Sequence, residues 1–568
     1  MIKTLFCIVL ISNNRLKTVP SNIINAKKIS SKISFNDIRS IQGENKISND
    51  FPGYLMDESK LAGTAEWLFF PKSETEILSI LDFLRENKVR TFVSAARTGI
   101  VGSCVPTSGS VLSIEKMNKI LGFGYDKKRN HYFLRVQPGI TLNEINNILI
   151  KKDLQNVPEL TSNSINKFKE SKKSYHYPVD PTEMSATIGG TVATNASGAR
   201  TLKFGPTREW IKGLRVILAS GDILDIQRGK YFASEEGIFI VNRPDEEKLQ
   251  FKIPNYIFNS SVKNAAGIYS KPNMDLIDLF IGSEGILGVI TQIDIWIIEK
   301  NSLMYNVLFF NSEEDAIKFG ELLRNHNVLC PEFIEFFSNE SLNLMRKVQR
   351  EEPRSLNIPP IPLNNNSALF FDLSYSEEKL DQIFNELTNI AENCNVDLSN
   401  GWSGFEDQDY TKFKNFRHAL PEYINTLIAK RKLKFPELHK LGTDISVPEN
   451  RFRNMMQYYH STLRDANLEY VIFGHLGDNH VHVNILPNNL VELQLGEKIY
   501  EKFARKAVKY GGTISAEHGI GKIKKEYLKF MYSQNDLDEM RLIKKTLDPC
   551  LILNIGNIFD IEVGMDKK

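Results

Sequence analysis

Cysteine is scarce in this chain and badly placed for structural work. Cys7, Cys104, Cys330, Cys394 and Cys550 lie far apart, are odd in number and never form Cys-x-x-Cys. That pattern argues against a disulfide framework, a zinc ribbon and a built-in iron–sulfur centre, and it suits a reducing compartment. Long apolar runs are also missing, and none reaches the roughly 18 residues that cross a bilayer. The run from Leu5 to Ile11 is at the short limit for a signal-peptide core, with only Lys3 before it and no small-x-small site after it. Met1–Ser12 therefore reads as a first strand, a helix or an unstructured start. Neither sign of charge is in excess, since 71 basic and 69 acidic residues leave a net +2. Nothing here invokes nucleic acid or a strong field toward anionic membranes. A cytoplasmic setting follows, with no more than peripheral contact at the inner membrane. Neither the Rossmann Gly-x-Gly-x-x-Gly nor the Walker pattern occurs.

What is present is organised. At 568 residues the chain exceeds one compact core, and about three domains are expected, with two large ones also allowed. Residues 1–60 form a lead-in whose part from 13 onward is polar, rich in Asn, Ser and Lys, and reads as irregular. From Ala65 the pattern becomes regular. Trp67 to Pro71 reads as a short buried strand. Ser73 to Asn87 reads as a helix, with Ser73 as N-cap, Glu76 three residues on, and Ile77, Leu78, Ile80, Leu81 and Leu84 on one face. Arg90 to Ala95 reads as a second strand. This unit predicts a nucleotide-type domain over 61–300, of α/β or α+β class. Two polar stretches, 161–177 and 227–255, and the Pro- and Asn-rich 350–367 read as surface loops or lids. Over 301–568, strand-like runs (Tyr305–Phe310, Ala368–Leu373) alternate with helical ones (Glu313–Arg324, Glu377–Cys394). That order predicts a second, α+β domain with an antiparallel sheet and helices on one face.

Three segments of the first half are dense in small residues: Ser94–Ser103, Ala186–Gly198 and Gly282–Ile290. Small residues let a ligand approach the backbone, and their amides can cradle a pyrophosphate. Any one of them alone is more simply a turn; three in one domain are harder to dismiss.

The second half concentrates histidine. Four of the ten, His475, His480, His482 and His518, lie between 475 and 518. Tyr470–Gly474 is apolar, Gly477-Asp478-Asn479 is a turn signal, and Val481–Leu486 alternates. A hairpin bringing His475 and His482 together follows, with His480 and His482 on one face. Glu517 and His518 sit between glycines in Gly511–Gly521. Two imidazoles and a carboxylate suit a borderline divalent metal with positions left for substrate.

The order of these segments resembles the FAD-binding domain of the vanillyl-alcohol oxidase/PCMH superfamily, in the branch of D-lactate dehydrogenase and the FAD subunit of glycolate oxidase. Asp180-Pro181, Ala186–Gly190, Asn195, Gly198 and Gly205 match its second cofactor segment, and Gly282–Gly285 with Leu287-Gly288 its third. The resemblance implies an α+β chain: a PCMH-type FAD-binding domain, a ferredoxin-like α+β cap or substrate domain, and a C-terminal helical segment. It implies noncovalent FAD, with Arg97, Thr98, Gly99, Ile100, Gly102 and Ser103 around the pyrophosphate. Pro181, Thr187, Gly189, Gly190, Asn195, Ser197 and Gly198 would lie along the flavin and its phosphates, and Glu284, Gly285 and Ile290 near the adenosine end. The first segment departs from the family, with Ala95, Arg97 and Ser103 where Gly is usual.

The same resemblance assigns His475, His482 and Glu517 to a divalent metal, Zn²⁺ or Mn²⁺, and His518 to the role of catalytic base. Asn484 matches a substrate-contacting Asn, and Arg417 and Lys440 fall where the family binds the substrate carboxylate. Asn479-His480 replaces the family's Gly-Asn. The implied reaction is oxidation of a small D-2-hydroxy acid of the D-lactate, glycolate or D-2-hydroxyglutarate class. Electrons would leave for an external acceptor, a quinone, cytochrome or electron-transfer flavoprotein. Two alternatives stay open: an alkylglycerone-phosphate-synthase-like transferase with no net redox, and a non-catalytic FAD-binding subunit.

Overall fold

The computed structural model describes residues 21–29, 33–245, 247–351 and 358–561; Met1–Ser12 lies outside them. The strand–helix–strand unit stands where the sequence pattern puts it. Trp67–Phe69 and Thr91–Ser94 both pair in parallel with Ser110–Ser113. Ser73 caps the helix Glu74–Glu86 by accepting the Glu76 amide, and the helix buries Ile77, Leu78, Ile80, Leu81 and Leu84. A second, antiparallel sheet runs in the order Ile223–Gln227, Ile211–Ile217, Val289–Glu299, His131–Val136, Ile120–Asp126.

The polar stretches are more ordered than their composition suggests. In the lead-in, Ile23–Asn25 pairs with Ile238–Asn242, Ser40–Gln42 pairs with Trp67–Phe69, and Glu44–Asp50 is helical. The 227–255 stretch supplies Ile238–Asn242 and Lys248–Lys252 to that three-stranded sheet. Its Phe239 and Phe251 are buried; each large apolar side chain taken from water contributes about 1.5–3 kcal/mol, so a few anchors fold an otherwise charged segment. In 161–177, the helix Ser164–Glu170 buries Phe168 and Tyr175–His176 pairs with Val289–Glu299.

The second half is built on an eight-stranded antiparallel sheet, ordered Trp402–Gly404, Ser302–Phe310, Ser367–Tyr375, Ile334–Phe337, Tyr470–His475, His480–Ile485, Leu441–Gly442, with Ile445–Ser446 also on His480–Ile485. Helices cover both faces rather than one. Glu313–Arg324, Leu380–Asn393, Glu449–Asp465 and Leu490–Lys509 pack on one side, and Asn339–Glu351 and Asp407–Lys432 on the other. The strands show why, since Ser302–Phe310 is buried at every position after the first and so has two apolar faces to cover.

The two halves are joined by charge and by chain. Arg200, beside the second small-residue segment, pairs with Asp180, with Glu332, and at 2.9 Å with Asp372 of the eight-stranded sheet. The helices Lys525–Met531 and Gln534–Leu547 pack into the core of the first half, and the Thr91 amide bonds the Ile552 carbonyl at 2.7 Å. No helix among the described residues is long and apolar enough to cross a membrane.

Candidate functional site

The hairpin forms as its sequence pattern requires. Tyr470–His475 and His480–Ile485 pair with His475 opposite His480 and Phe473 opposite His482. Period two then puts His475, His480, His482 and Asn484 on one face, while Ile472, Val481, Val483 and Ile485 enter the core behind. Asn479 turns the chain in the left-handed conformation. Gly474 is required: its φ is +132°, and a Cβ would lie 3.0 Å from the His482 ring.

Each inward imidazole is oriented from behind. His475 Nδ1 lies 2.7 Å from Glu335 Oε1, on the neighbouring strand, and His482 Nδ1 lies 3.0 Å from the Thr443 carbonyl. Their Nε2 atoms face Glu517, at 3.5 Å and 3.4 Å. An imidazole held at one nitrogen by a carboxylate or carbonyl presents the other as a ligand. Burial pulls His475 down, but the Glu335 and Glu517 carboxylates together outweigh it and raise its pKa to about 9. Burial raises Glu517, but Lys263 and His475 outweigh it and hold it well below the usual carboxylate range. Lys263, itself buried, reaches Glu517 at 2.6 Å and the Gly198 carbonyl at 3.1 Å. It thus ties this cluster to the second small-residue segment.

Asp444 is the second organiser. It is fully buried and accepts the backbone amides of Glu517 and His518 at 3.1 and 3.0 Å, the Ser515 hydroxyl at 2.7 Å and the Lys524 ammonium at 2.7 Å. Its Oδ2 lies 3.2 Å from His518 Nδ1, leaving His518 Nε2 3.5 Å from Glu517. Despite burial, His518 and Lys524 keep Asp444 well below its ordinary pKa, so it stands as an anion beside His518 Nδ1. One ligand atom each from His475, His480, His482 and Glu517 lies within 4.8 Å of the others.

The residues expected at a substrate carboxylate are divided. Asn484 is buried on the cluster face, and Lys440 is exposed, though burial around its ammonium lowers its pKa. Arg417 is already committed, at 3.2 Å, to Glu335. Sequence reasoning missed Glu335, Asp444 and Lys263. Glu335 carries a signal, a lone carboxylate in Phe333-Ile-Glu-Phe-Phe337, because a charge in a buried strand has to be paired. Lys263 sits in an unremarkable polar stretch.

The small-residue segments line the other side. Arg97–Ser103 follows the strand Thr91–Ser94, and Thr187 caps the short helix Ile188–Thr194. Asn195 ends that helix in the left-handed conformation and accepts the Arg208 amide. Gly198 is glycine for packing, because a Cβ would meet the Asp180 carbonyl, next to Pro181, at 2.2 Å. Gly99 and Gly190 are different. Neither has a positive φ, and a Cβ would find nothing nearer than 4.0 Å and 3.4 Å respectively. The Ser197 hydroxyl is buried without a partner. Glycine where the protein leaves room, with an unpaired polar atom nearby, fits a cofactor lying against this backbone. Ser197 also lines a cavity of about 480 Å³, together with Lys263, Asp478 and Ala516 among others, within the size range of ligand sites.

Some expected contacts are occupied by the protein. Asp57 accepts the Gly102 amide, and Arg97 lies over the Tyr54 ring at 4.3 Å while donating to the Ala95 carbonyl. Glu284 accepts from the Ser103 hydroxyl at 2.6 Å and from the Ile520 and Gly521 amides at 2.7 Å each. It therefore staples the first segment to the loop carrying His518. Gly285 packs against Asn554, Ile290 is a strand residue opposite Val216, and Thr98 and Ile100 sit in the first loop, Ile100 exposed.

Comparison with known proteins agrees with this arrangement. A model of FAD binding domains matches residues 65–165 and 169–227, and a model of the C-terminal domain of FAD linked oxidases matches residues 300–558. The chain belongs to the FAD-linked oxidases. It is 28% identical over 549 residues to a D-lactate dehydrogenase of Anaerostipes hadrus, covering 95% of this chain and 98% of that one. A D-2-hydroxyglutarate dehydrogenase of Stutzerimonas stutzeri (strain A1501) is 26% identical over 87% of this chain and 90% of its own. A glycolate oxidase subunit of Bacillus subtilis (strain 168) is 26% identical over 86% and 88%. Among solved structures, an alkyldihydroxyacetonephosphate synthase shares the fold with a TM-score of 0.57 at 15% identity, over 94% of this chain and 89% of the other.

Proposed function

We propose that this protein oxidises a small D-2-hydroxy acid, of the D-lactate, glycolate or D-2-hydroxyglutarate class, to the 2-oxo acid. The observation that carries this is His518, held through Nδ1 by Asp444 beside the inward Nε2 atoms of His475 and His482 and the Glu517 carboxylate. The relatives named for hydroxy-acid dehydrogenases point the same way. The loop Arg97–Ser103 with Thr187–Gly190 and Ser197 would hold FAD, and His475, His482 and Glu517 a divalent metal, Zn²⁺ or Mn²⁺. Bound there, FAD supplies a two-electron acceptor and the metal a Lewis acid toward the substrate hydroxyl.

The chain's own part follows from its geometry. His518 takes the hydroxyl proton at Nε2, because Asp444 anchors Nδ1. Asn484 and Lys440 are the groups left to bind the substrate carboxylate. Arg417 acts through Glu335, which orients His475. Lys263 holds Glu517 in place and balances the charge that a bound divalent metal would share. Electrons then leave for an external acceptor, a quinone, cytochrome or electron-transfer flavoprotein.

The test is anaerobic addition of D-lactate, glycolate and D-2-hydroxyglutarate to the FAD-loaded protein. One of them should bleach the flavin, and His518→Asn should bind FAD normally yet slow bleaching by about 10²–10⁴-fold. Normal bleaching in the variant removes His518 from its role. A flavin that no hydroxy acid bleaches favours the transferase or the non-catalytic subunit instead.

A further inference from the structure

His480 is the imidazole this function leaves unused. It is fully buried, and its Nδ1 lacks a hydrogen-bond partner. Nε2 has Asp444 Oδ1 3.2 Å away as its ionic neighbour. A buried polar group left unpaired costs about 1–3 kcal/mol, and His480 Nδ1 is such a group. The neighbours explain the placement. The His480 ring centroid is 4.5 Å from that of His482 and 5.3 Å from that of His475. One of its ligand atoms belongs to the same group, within 4.8 Å, as those of His475, His482 and Glu517.

Resting on the metal site proposed above, we infer that His480 is a fourth protein ligand, so that the ion is held by three imidazoles and one carboxylate. Asp444 then serves two rings at once: Oδ1 stands behind His480 and Oδ2 behind His518. The ligand count selects the ion. Four protein ligands close a tetrahedral zinc site and leave nothing for substrate. An ion that accepts six ligands keeps two positions open. Of the two ions named above, the site therefore favours Mn²⁺, or another six-coordinate divalent ion up to nickel, over Zn²⁺.

The probe is Co²⁺, titrated into chelator-treated protein with FAD in place. Wild type should bind one Co²⁺ with the weak visible absorption of a six-coordinate ion, and X-ray absorption should count three imidazoles. Loss of an outer-shell partner alone lowers metal affinity 10–100-fold; His480→Asn should lose about 100-fold or more and change the spectrum. Wild-type affinity and spectrum in His480→Asn, or two imidazoles in the wild type, overturns the inference while leaving the metal site standing. If His482→Asn and Glu517→Gln also bind Co²⁺ like wild type, the metal site itself falls, and His480 with it. Should His480→Asn fail to fold or to hold FAD, the imidazole count on the wild type decides.

Discussion

The small-residue segments of the first half offer a ligand backbone and little else, whereas the hairpin and the Gly511–Gly521 loop offer side chains whose charges are matched group by group. Around Gly99, Gly190 and Ser197 the useful property is the absence of a Cβ or of a partner. Around Glu517, each charge has an assigned neighbour: Lys263 on Glu517, Glu335 on His475, Asp444 on His518. The first kind of site tolerates what it does not touch. The second is a network in which removing one member strands another, because a buried charge without its partner is far more costly than the pair.

The sharpest way to break this comparison is at Glu335. Glu335→Ala leaves Arg417 and His475 facing each other without the carboxylate between them. Loss of one partner from a buried pair costs about 3–5 kcal/mol. Denaturant unfolding of the FAD-loaded variant should show that loss, and metal uptake should weaken with it. A variant as stable as wild type would mean that the network is not interdependent.

The contrast also explains what the sequence disclosed. The small-residue segments were legible because their signal is local, a run of Gly, Ala, Ser and Thr at one place. The hairpin was legible because period two and a turn signal place His475, His480 and His482 together without further information. Glu335, Asp444 and Lys263 approach the same cluster from three other parts of the chain, and only the strand order Ile334–Phe337, Tyr470–His475, His480–Ile485 brings the first into register. Arg417 pairs with Glu335, a partner that no local pattern in the sequence discloses. The polar lead-in reads as irregular and the 227–255 stretch as a loop because a few buried apolar residues among many polar ones, Ile24, Ile38 and Ile47 in the first and Phe239 and Phe251 in the second, leave no periodic trace.

A pair of glycines sharpens the first half of the comparison. In Gly198→Ala the new methyl meets the Asp180 carbonyl at 2.2 Å, and such overpacking costs about 1–3 kcal/mol. Its melting temperature should fall with or without FAD. Gly190→Ala has room in the protein, with its nearest neighbours at 3.4 and 3.5 Å. It should melt like wild type without FAD and lose FAD affinity, since the methyl would fill the space the cofactor needs. Equal FAD affinity in Gly190→Ala would show that the cofactor does not lie against this turn.

Arg97 should give the smallest effect, and it tests whether a side chain matters in a region built of backbone. Its φ of 62° is left-handed, which costs a non-glycine residue about 1 kcal/mol. Its guanidinium gains roughly 0.5–1 kcal/mol over the Tyr54 ring, at 4.3 Å. Arg97→Gly removes both, and the two nearly cancel, so stability should change by less than about 1 kcal/mol. FAD affinity should also stay within a few-fold, because the guanidinium is turned toward Tyr54 and the Ala95 carbonyl. A large fall in FAD affinity, measured by fluorescence on dilution, would mean that Arg97 leaves Tyr54 for the pyrophosphate. The first segment would then hold its ligand by charge, as the hairpin does.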